Sequence, residues 1–249
     1  MKDNTVRSLE RGLAVLQCFD LDTEELSLSQ IAEHLSLAPS TALRLASALT
    51  ALGFLEKSRA KTYSLGNKVY LLGAVAQKHF KLRRIILPVM ESLRNATHEA
   101  VSLYALVDGY RVCYEHVESL LSMRCVVRVG DRFPLWAGAA GKCLLAFADK
   151  QLVEEQIAKA RPITATTILD REKFLAELMQ IRDSEEAISH GEREEGVISV
   201  AIPIFSARNQ VDYALSLAAP ASRLGEETLR EVLLRTKEAA RAISRQLYT

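Results

Sequence analysis

Cysteine is scarce and scattered. The four residues Cys18, Cys113, Cys125 and Cys143 include no C-x-x-C pair. That spacing suits neither a small disulfide framework nor a zinc site, and it points to a reducing, cytoplasmic compartment. The five histidines (His34, His79, His98, His116 and His190) show no H-x-x-x-H spacing, so no metal is expected and surface or capping roles suit each. A G-x-S-x-G elbow is missing. Cys113 or Cys143 could act as a nucleophile only with a histidine brought near by folding, and free cysteines in sheets are more often inert. Catalysis is therefore not expected, and no cofactor is called for. The segment Gly138-Ala139-Ala140-Gly141-Lys142-Cys143 fails the phosphate-loop pattern, because the glycines are too close and no Ser or Thr follows the lysine. Long apolar runs are lacking too, so no membrane-spanning helix is expected, and Met1 to Glu10 is too polar for a signal peptide. The formal net charge of +1 shows no global excess of base, so any surface for nucleic acid must be a local patch.

What remains is an ordinary globular composition, 49% hydrophobic and 25% charged over 249 residues. That length suits two domains, and the texture changes near residues 78–84, which divides the chain into 1–80 and 81–249. The first part reads as helix from a Ser8 cap to Phe19, with Leu9, Leu13, Val15 and Leu16 at helical spacing. An acidic loop to Leu26, a short helix over 28–35 capped by Ser29, and a helix from Ser40 to Leu52 stopped by Gly53 follow. Phe54–Lys57 and Thr62–Leu65 read as a hairpin, and Asn67 to about Lys81 as a long amphipathic helix. In the second part Pro88 begins a helix to Thr97, and 101–107 and 111–117 flank the hairpin turn Asp108-Gly109. Met123–Val129, Val197–Phe205 and Val211–Ala218 also read as strands. Residues 141–148, 150–160, 170–182 and 226–247 read as helices. Several hairpins among helices favour an α+β sheet domain.

Two short helices, a tight turn and a basic hairpin form a winged helix-turn-helix pattern. In the second helix Ala42, Leu45, Leu49 and Leu52 can pack inward, while Ser40, Thr41, Arg44 and Ser47 can face a groove. Hydroxyls and helix N-termini suit phosphate oxygens, and a guanidinium can read guanine O6 and N7. From the hairpin onward Lys57, Arg59, Lys61 and Lys68 follow one another with no acid after Glu56. Alternatively, Ser40 is only a cap and Arg44 only a solvated side chain.

These residues resemble the IclR-type bacterial regulators over nearly the whole chain. Arg7–Leu16 is similar to the family's opening helix, Leu37–Leu45 to the start of its recognition helix, and Tyr63–Gly66 to the end of its wing. Pro134–Lys142 and Gly196–Phe205 are similar to its two effector-domain signatures. The resemblance implies a GAF-like C-terminal domain that binds a small-molecule effector. It also implies a homodimer or homotetramer on a palindromic double-stranded DNA operator, probed by Ser29, Pro39, Ser40, Thr41, Arg44, Ser47, Lys57, Arg59 and Lys61. The effector loop it implies is Trp136, Ala137, Gly138 and Ala139, joined by Ser189, Ser199 and Ser216. Departures are specific. Ser36 replaces a turn glycine, Ala38-Pro39 replaces Pro-Lys, Ser189 replaces an acid, Ala218 a serine, and Trp136 a smaller side chain.

The loop entering the helix at Gly138 could hold an oxyanion on its backbone amides; it could equally be a packing turn. Ser184-Glu185-Glu186 with Glu192, Glu194 and Glu195 reads as a solvated loop rather than a cation site. The main reading is a DNA-binding regulator, a repressor, controlled by a metabolite. The alternative is a metabolite-binding or catalytic domain with an N-terminal assembly module, and a third reading has a vestigial pocket with a partner protein carrying the signal.

Overall fold

The computed structural model describes residues 6–79, 81–208 and 210–248, with backbone alone for 77–79 and 81. Two compact units, residues 1–80 and 81–249, divide the chain.

In the first unit α1 (Arg7–Leu16), α2 (Leu28–His34) and α3 (Pro39–Ala51) pack with a three-stranded sheet of β1 (Leu26–Ser27), β3 (Thr62–Leu65) and β2 (Leu55–Lys57). Val15, Phe19, Leu26, Ile31, Ala46, Leu55 and Tyr63 are its core. The helix starts differ from expectation. Val6, not Ser8, precedes α1, and no side chain caps it. Ser27, not Ser29, caps α2: its hydroxyl accepts from the Gln30 amide while the Gln30 side chain accepts from the Ser27 amide. That reciprocal box satisfies two orphan donors, which Ser29, already inside the helix, cannot do. On α1, Leu9 and Leu13 are 61% and 52% exposed rather than buried. The helix α4 (Asn67–His79) likewise exposes Tyr70, Leu71, Leu72 and Val75.

In the second unit six antiparallel strands run in the order β6-β5-β4-β9-β8-β7. They are β4 (Ala100–Val107), β5 (Tyr110–Val117), β6 (Arg132–Phe133), β7 (Ala187–His190), β8 (Val197–Phe205) and β9 (Val211–Pro220). Asp108 and Gly109 join β4 to β5 with φ of +51° and +77°, the two left-handed residues that a tight hairpin turn needs. One face of the sheet packs on α5 (Lys81–Thr97) and α9 (Glu226–Tyr248) through Ile86, Met90, Leu103, Leu215, Leu217 and Ile243. The other face packs on α6 (Ala139–Ala146) and α8 (Arg171–Ser184), where Ala187, Ala201 and Ala214 let α6 lie close. The helix α7 (Lys150–Lys159) lies between α6 and α8 in sequence.

Two expectations fail here. Pro88 lies inside α5 rather than at its start. Its ring removes one helical hydrogen bond, which the burial of Leu82, Ile86, Met90 and Leu93 along that helix outweighs. Residues 123–129 form no strand, because alternating apolar residues there find no ladder partner. The short strands β6 and β7 carry too little periodicity to be read from sequence. Among the described residues no helix is long and apolar enough to cross a membrane.

Candidate recognition helix and effector pocket

The helix α3 begins without a side-chain cap: Ala38 precedes it and Pro39 takes the first helical position. Proline fits there because its fixed φ is helical and its missing N–H has no partner to lose. Ser40 is therefore not the cap. Ser40, Arg44 and Ser47 are exposed and Thr41 half-buried, on the side of α3 away from the buried Ala42 and Ala46. Leu45 and Leu49 pack against the core, whereas Leu52, expected inside, is 64% exposed because it lies one residue beyond the helix end. The turn before α3 holds Ser36 at φ +50°, a conformation that explains a glycine preference.

Lys57 at the end of β2, and Arg59 and Lys61 in the turn to β3, are all exposed. Ser58 organises that turn, its hydroxyl accepting from the Ala60 amide at 3.1 Å and lying 2.7 Å from the Thr62 hydroxyl. The Lys57 ammonium sits 5.3 Å from the centre of the Tyr63 ring. Ser29 is exposed on α2, its hydroxyl 3.0 Å from that of Ser27.

In the second unit the sheet face beneath α6 encloses a cavity with room for about 30 Å³, roughly one water. Register explains its lining. Ser102 on β4 stands opposite Ser216 on β9, and Ser189 on β7 opposite Ser199 on β8. Along β5 the pairing slips between Leu103 and Tyr104, so that Tyr104 faces Cys113 while Ser102 faces His116. This bulge leaves Tyr114 as the extra residue and brings Arg111 and His116 to one face despite their odd spacing. The cavity is lined by these serines, Tyr104, Arg111, His116, Gly138, Glu192, Arg193 and Ala218, among others.

Gly138, Ser189, Ser199 and Ser216 are thus brought together. Trp136, Ala137 and Ala139 are not among the lining residues; all three lie in the apolar core under α6. The strand-to-helix turn faces the cavity only at Gly138, whose φ is +85°. The Ala139 amide still donates to the Ser199 hydroxyl at 3.4 Å, and the Ser216 hydroxyl to the Val200 carbonyl at 2.8 Å. Gly138 itself donates to Glu192 at 3.3 Å. Glu192, expected in a solvated loop, is only 4% exposed. Its carboxylate takes the ammonium of Lys142, which is wholly buried and also donates to Glu177. This clamp fixes the glycine turn to the loop between β7 and β8.

His116, expected at the surface, donates to or accepts from Ser102 through Nδ1 at 2.9 Å, and burial lowers its pKa. Burial also raises the thiols, Cys113 to about 12 and Cys125 to about 11, which keeps them protonated and poor nucleophiles. Among the described residues no cluster of His, Cys, Asp and Glu could hold a metal ion. Arg111, His116, Tyr104 and Arg193 were not legible as pocket residues, because the face each presents depends on the bulge and on the β7–β8 loop.

Residues 8–59 match the IclR helix-turn-helix domain, and residues 74–245 match the bacterial transcriptional regulator IclR C-terminal domain. The chain belongs to the IclR family. This IclR-family regulator is 30% identical to the HTH-type transcriptional regulator KipR of Bacillus subtilis, over 98% of each chain. A solved IclR transcriptional regulator from Silicibacter shares 25% identity and superposes with a TM-score of 0.87 over 96% of each chain. An IclR homolog from Microbacterium hydrocarbonoxydans, solved in complex with 4-hydroxybenzoate, shares 27% identity at a TM-score of 0.78, covering 96% of this chain and 98% of that one.

Proposed function

We propose that this regulator binds a palindromic double-stranded DNA operator through α3 and the wing, in the cytoplasm, as a homodimer or homotetramer. A small metabolite in the sheet cavity controls that binding, and the occupied operator is the repressed state. One observation carries the DNA reading: Ser40, Arg44 and Ser47 stand exposed together on α3, in a unit that also presents Lys57, Arg59 and Lys61 on its wing. The uncovered apolar residues of α1 and α4 support self-association of that unit. The hydroxybenzoate complex of the Microbacterium homolog supports the effector reading, with the signal passing to the DNA-binding unit through α4.

Gel shifts on the cognate promoter and on random duplex, across a salt series, test this. Binding weakens steeply as salt rises, because phosphate contacts release counterions. Arg44→Ala is expected to remove about 1–3 kcal/mol of preference for the promoter while leaving random duplex nearly unaffected. Equal losses on both duplexes refute base reading by Arg44. A chain that shifts neither duplex at any salt concentration refutes DNA binding and favours an assembly role for the N-terminal unit.

A further inference from the structure

We propose that Leu43 is a base-reading residue: it selects thymine in the operator by packing its side chain on the 5-methyl group in the major groove. This rests on the reading of α3 as the recognition helix, and it adds a contact that the polar residues of that helix do not supply.

The inference starts from an apolar side chain in a polar place. Among the described residues of α3, Leu43 is the one large apolar side chain left exposed, at 44%. Leu45 and Leu49 pack against the core, and Ala42 and Ala46 are wholly buried. Leu43 instead shares the wet side with Ser40, Arg44 and Ser47, all exposed. These four stand at i, i+3, i+4 and i+7, which is one continuous stripe along a helix. The same spacing lets a helix seated in the major groove reach base edges with all four side chains. Leu43 lies inside the stripe, one turn from Ser40 and one from Ser47, next to Arg44.

Nothing acidic interrupts that face. Residues 34–55 contain no Asp and no Glu, and Lys57, Arg59 and Lys61 stand exposed just beyond. Base without acid suits a polyanion, which makes duplex DNA rather than an apolar protein surface the occupant of this face.

Within a groove the serines and the arginine can match donors and acceptors. A leucine can do neither. Set against a polar base edge, it displaces water from nitrogen and oxygen atoms and replaces none of their hydrogen bonds. The 5-methyl of thymine is the one apolar group that a base pair presents in the major groove. Leu43 against that methyl buries two apolar surfaces together; against guanine, adenine or cytosine it strands polar atoms. The residue thus acts twice, favouring thymine and penalising the other bases.

Gel shifts use the full chain on the footprinted operator, with each thymine in turn replaced by uracil. Base pairing is unchanged and only the methyl is lost. Wild type, Leu43→Ala and Arg44→Ala are compared at one salt concentration, with thermal unfolding in parallel. At one thymine per half-site, replacement is expected to weaken wild-type binding about fourfold, the size of one methyl returned to water. Replacing the symmetric pair weakens it about fifteenfold. Leu43→Ala binds the thymine and uracil duplexes nearly equally and melts close to wild type, because the leucine it lacks is exposed. Arg44→Ala binds more weakly but keeps the thymine preference, which isolates the methyl contact to one side chain. If no thymine replacement matters, or if the preference survives unchanged in Leu43→Ala, methyl reading by Leu43 is overturned while DNA binding stands. A Leu43→Ala protein that unfolds well below wild type shows a leucine engaged in packing, and overturns it as well. A chain that shifts no duplex overturns the DNA reading, and the methyl contact with it.

Discussion

Replacing Glu192 by alanine strips the buried Lys142 of its better-shielded partner, and the cost follows from the exposure of the three groups. Lys142 is wholly buried, the Glu192 side chain is 5% exposed and the Glu177 side chain 22% exposed. Removing one member of a buried ion pair leaves the other charge desolvated and costs about 3–5 kcal/mol. Glu192→Ala also takes away the acceptor of the Gly138 amide. Glu177→Ala should cost much less, about 1 kcal/mol, because water reaches that carboxylate and Glu192 still holds the ammonium. In a unit of this size each kcal/mol moves the melting point by about 2–4 °C, so Glu192→Ala is expected to lower it by roughly 10 °C. Lys142→Met alone strands Glu192 and should be similarly damaging. The double variant Lys142→Met/Glu192→Met should recover most of the loss, since a buried pair exchanged for apolar groups is often neutral. Calorimetry and urea unfolding of the four variants measure this. Equal losses for Glu177→Ala and Glu192→Ala, or a double variant as unstable as the sum of its singles, would refute the assignment of a coupled buried clamp.

Ser36→Gly should raise the stability of the first unit by about 1 kcal/mol or slightly less, read by urea unfolding, because glycine relieves the cost of φ +50° at an exposed turn. A loss of stability would show that the serine side chain contributes more than the strain. His116 is held neutral by burial, its pKa lowered, so the unfolded chain binds a proton more readily than the folded one. Its contribution is fully present above the unfolded value near 6.5 and is lost as pH falls below it, with a slope of at most about 1.4 kcal/mol per pH unit. His116→Asn should flatten the fall in unfolding free energy between neutral pH and pH 5; an unchanged slope refutes it. Thiol titration of the native protein with an aromatic disulfide should show fast reaction at no site other than Cys18, the half-buried one. All four react once the chain is unfolded, and rapid modification of Cys113, Cys125 or Cys143 in the native state would contradict their burial.

Local signals carried much of the architecture. The spacing of Ala42, Leu45 and Leu49 against Ser40, Arg44 and Ser47 indicated which side of α3 is wet, because a helix imposes its own period on its neighbours. Asp108-Gly109 fixed a hairpin, because only residues tolerant of positive φ close so tight a turn. Caps were less legible: Ser27 and Ser29 are both good candidates, and only the reciprocal bond with Gln30 decides between them. The pocket was half legible. Gly138, Ser189, Ser199 and Ser216, named from resemblance, line the cavity together with Arg111, whereas Trp136 lies in the apolar core.

The sequence by itself determined two units, a winged helix-turn-helix ahead of a mixed sheet domain, and the basic wing, since all of these follow from periods and turns within a few residues. Tertiary structure alone decided which side chains meet in the cavity. The bulge at Tyr114 turns His116 to the same face as Arg111, and the β7–β8 loop brings Glu192 to Lys142 fifty residues away in sequence. Both depend on strand register and on charge balance across distant segments, which no local pattern of residues encodes.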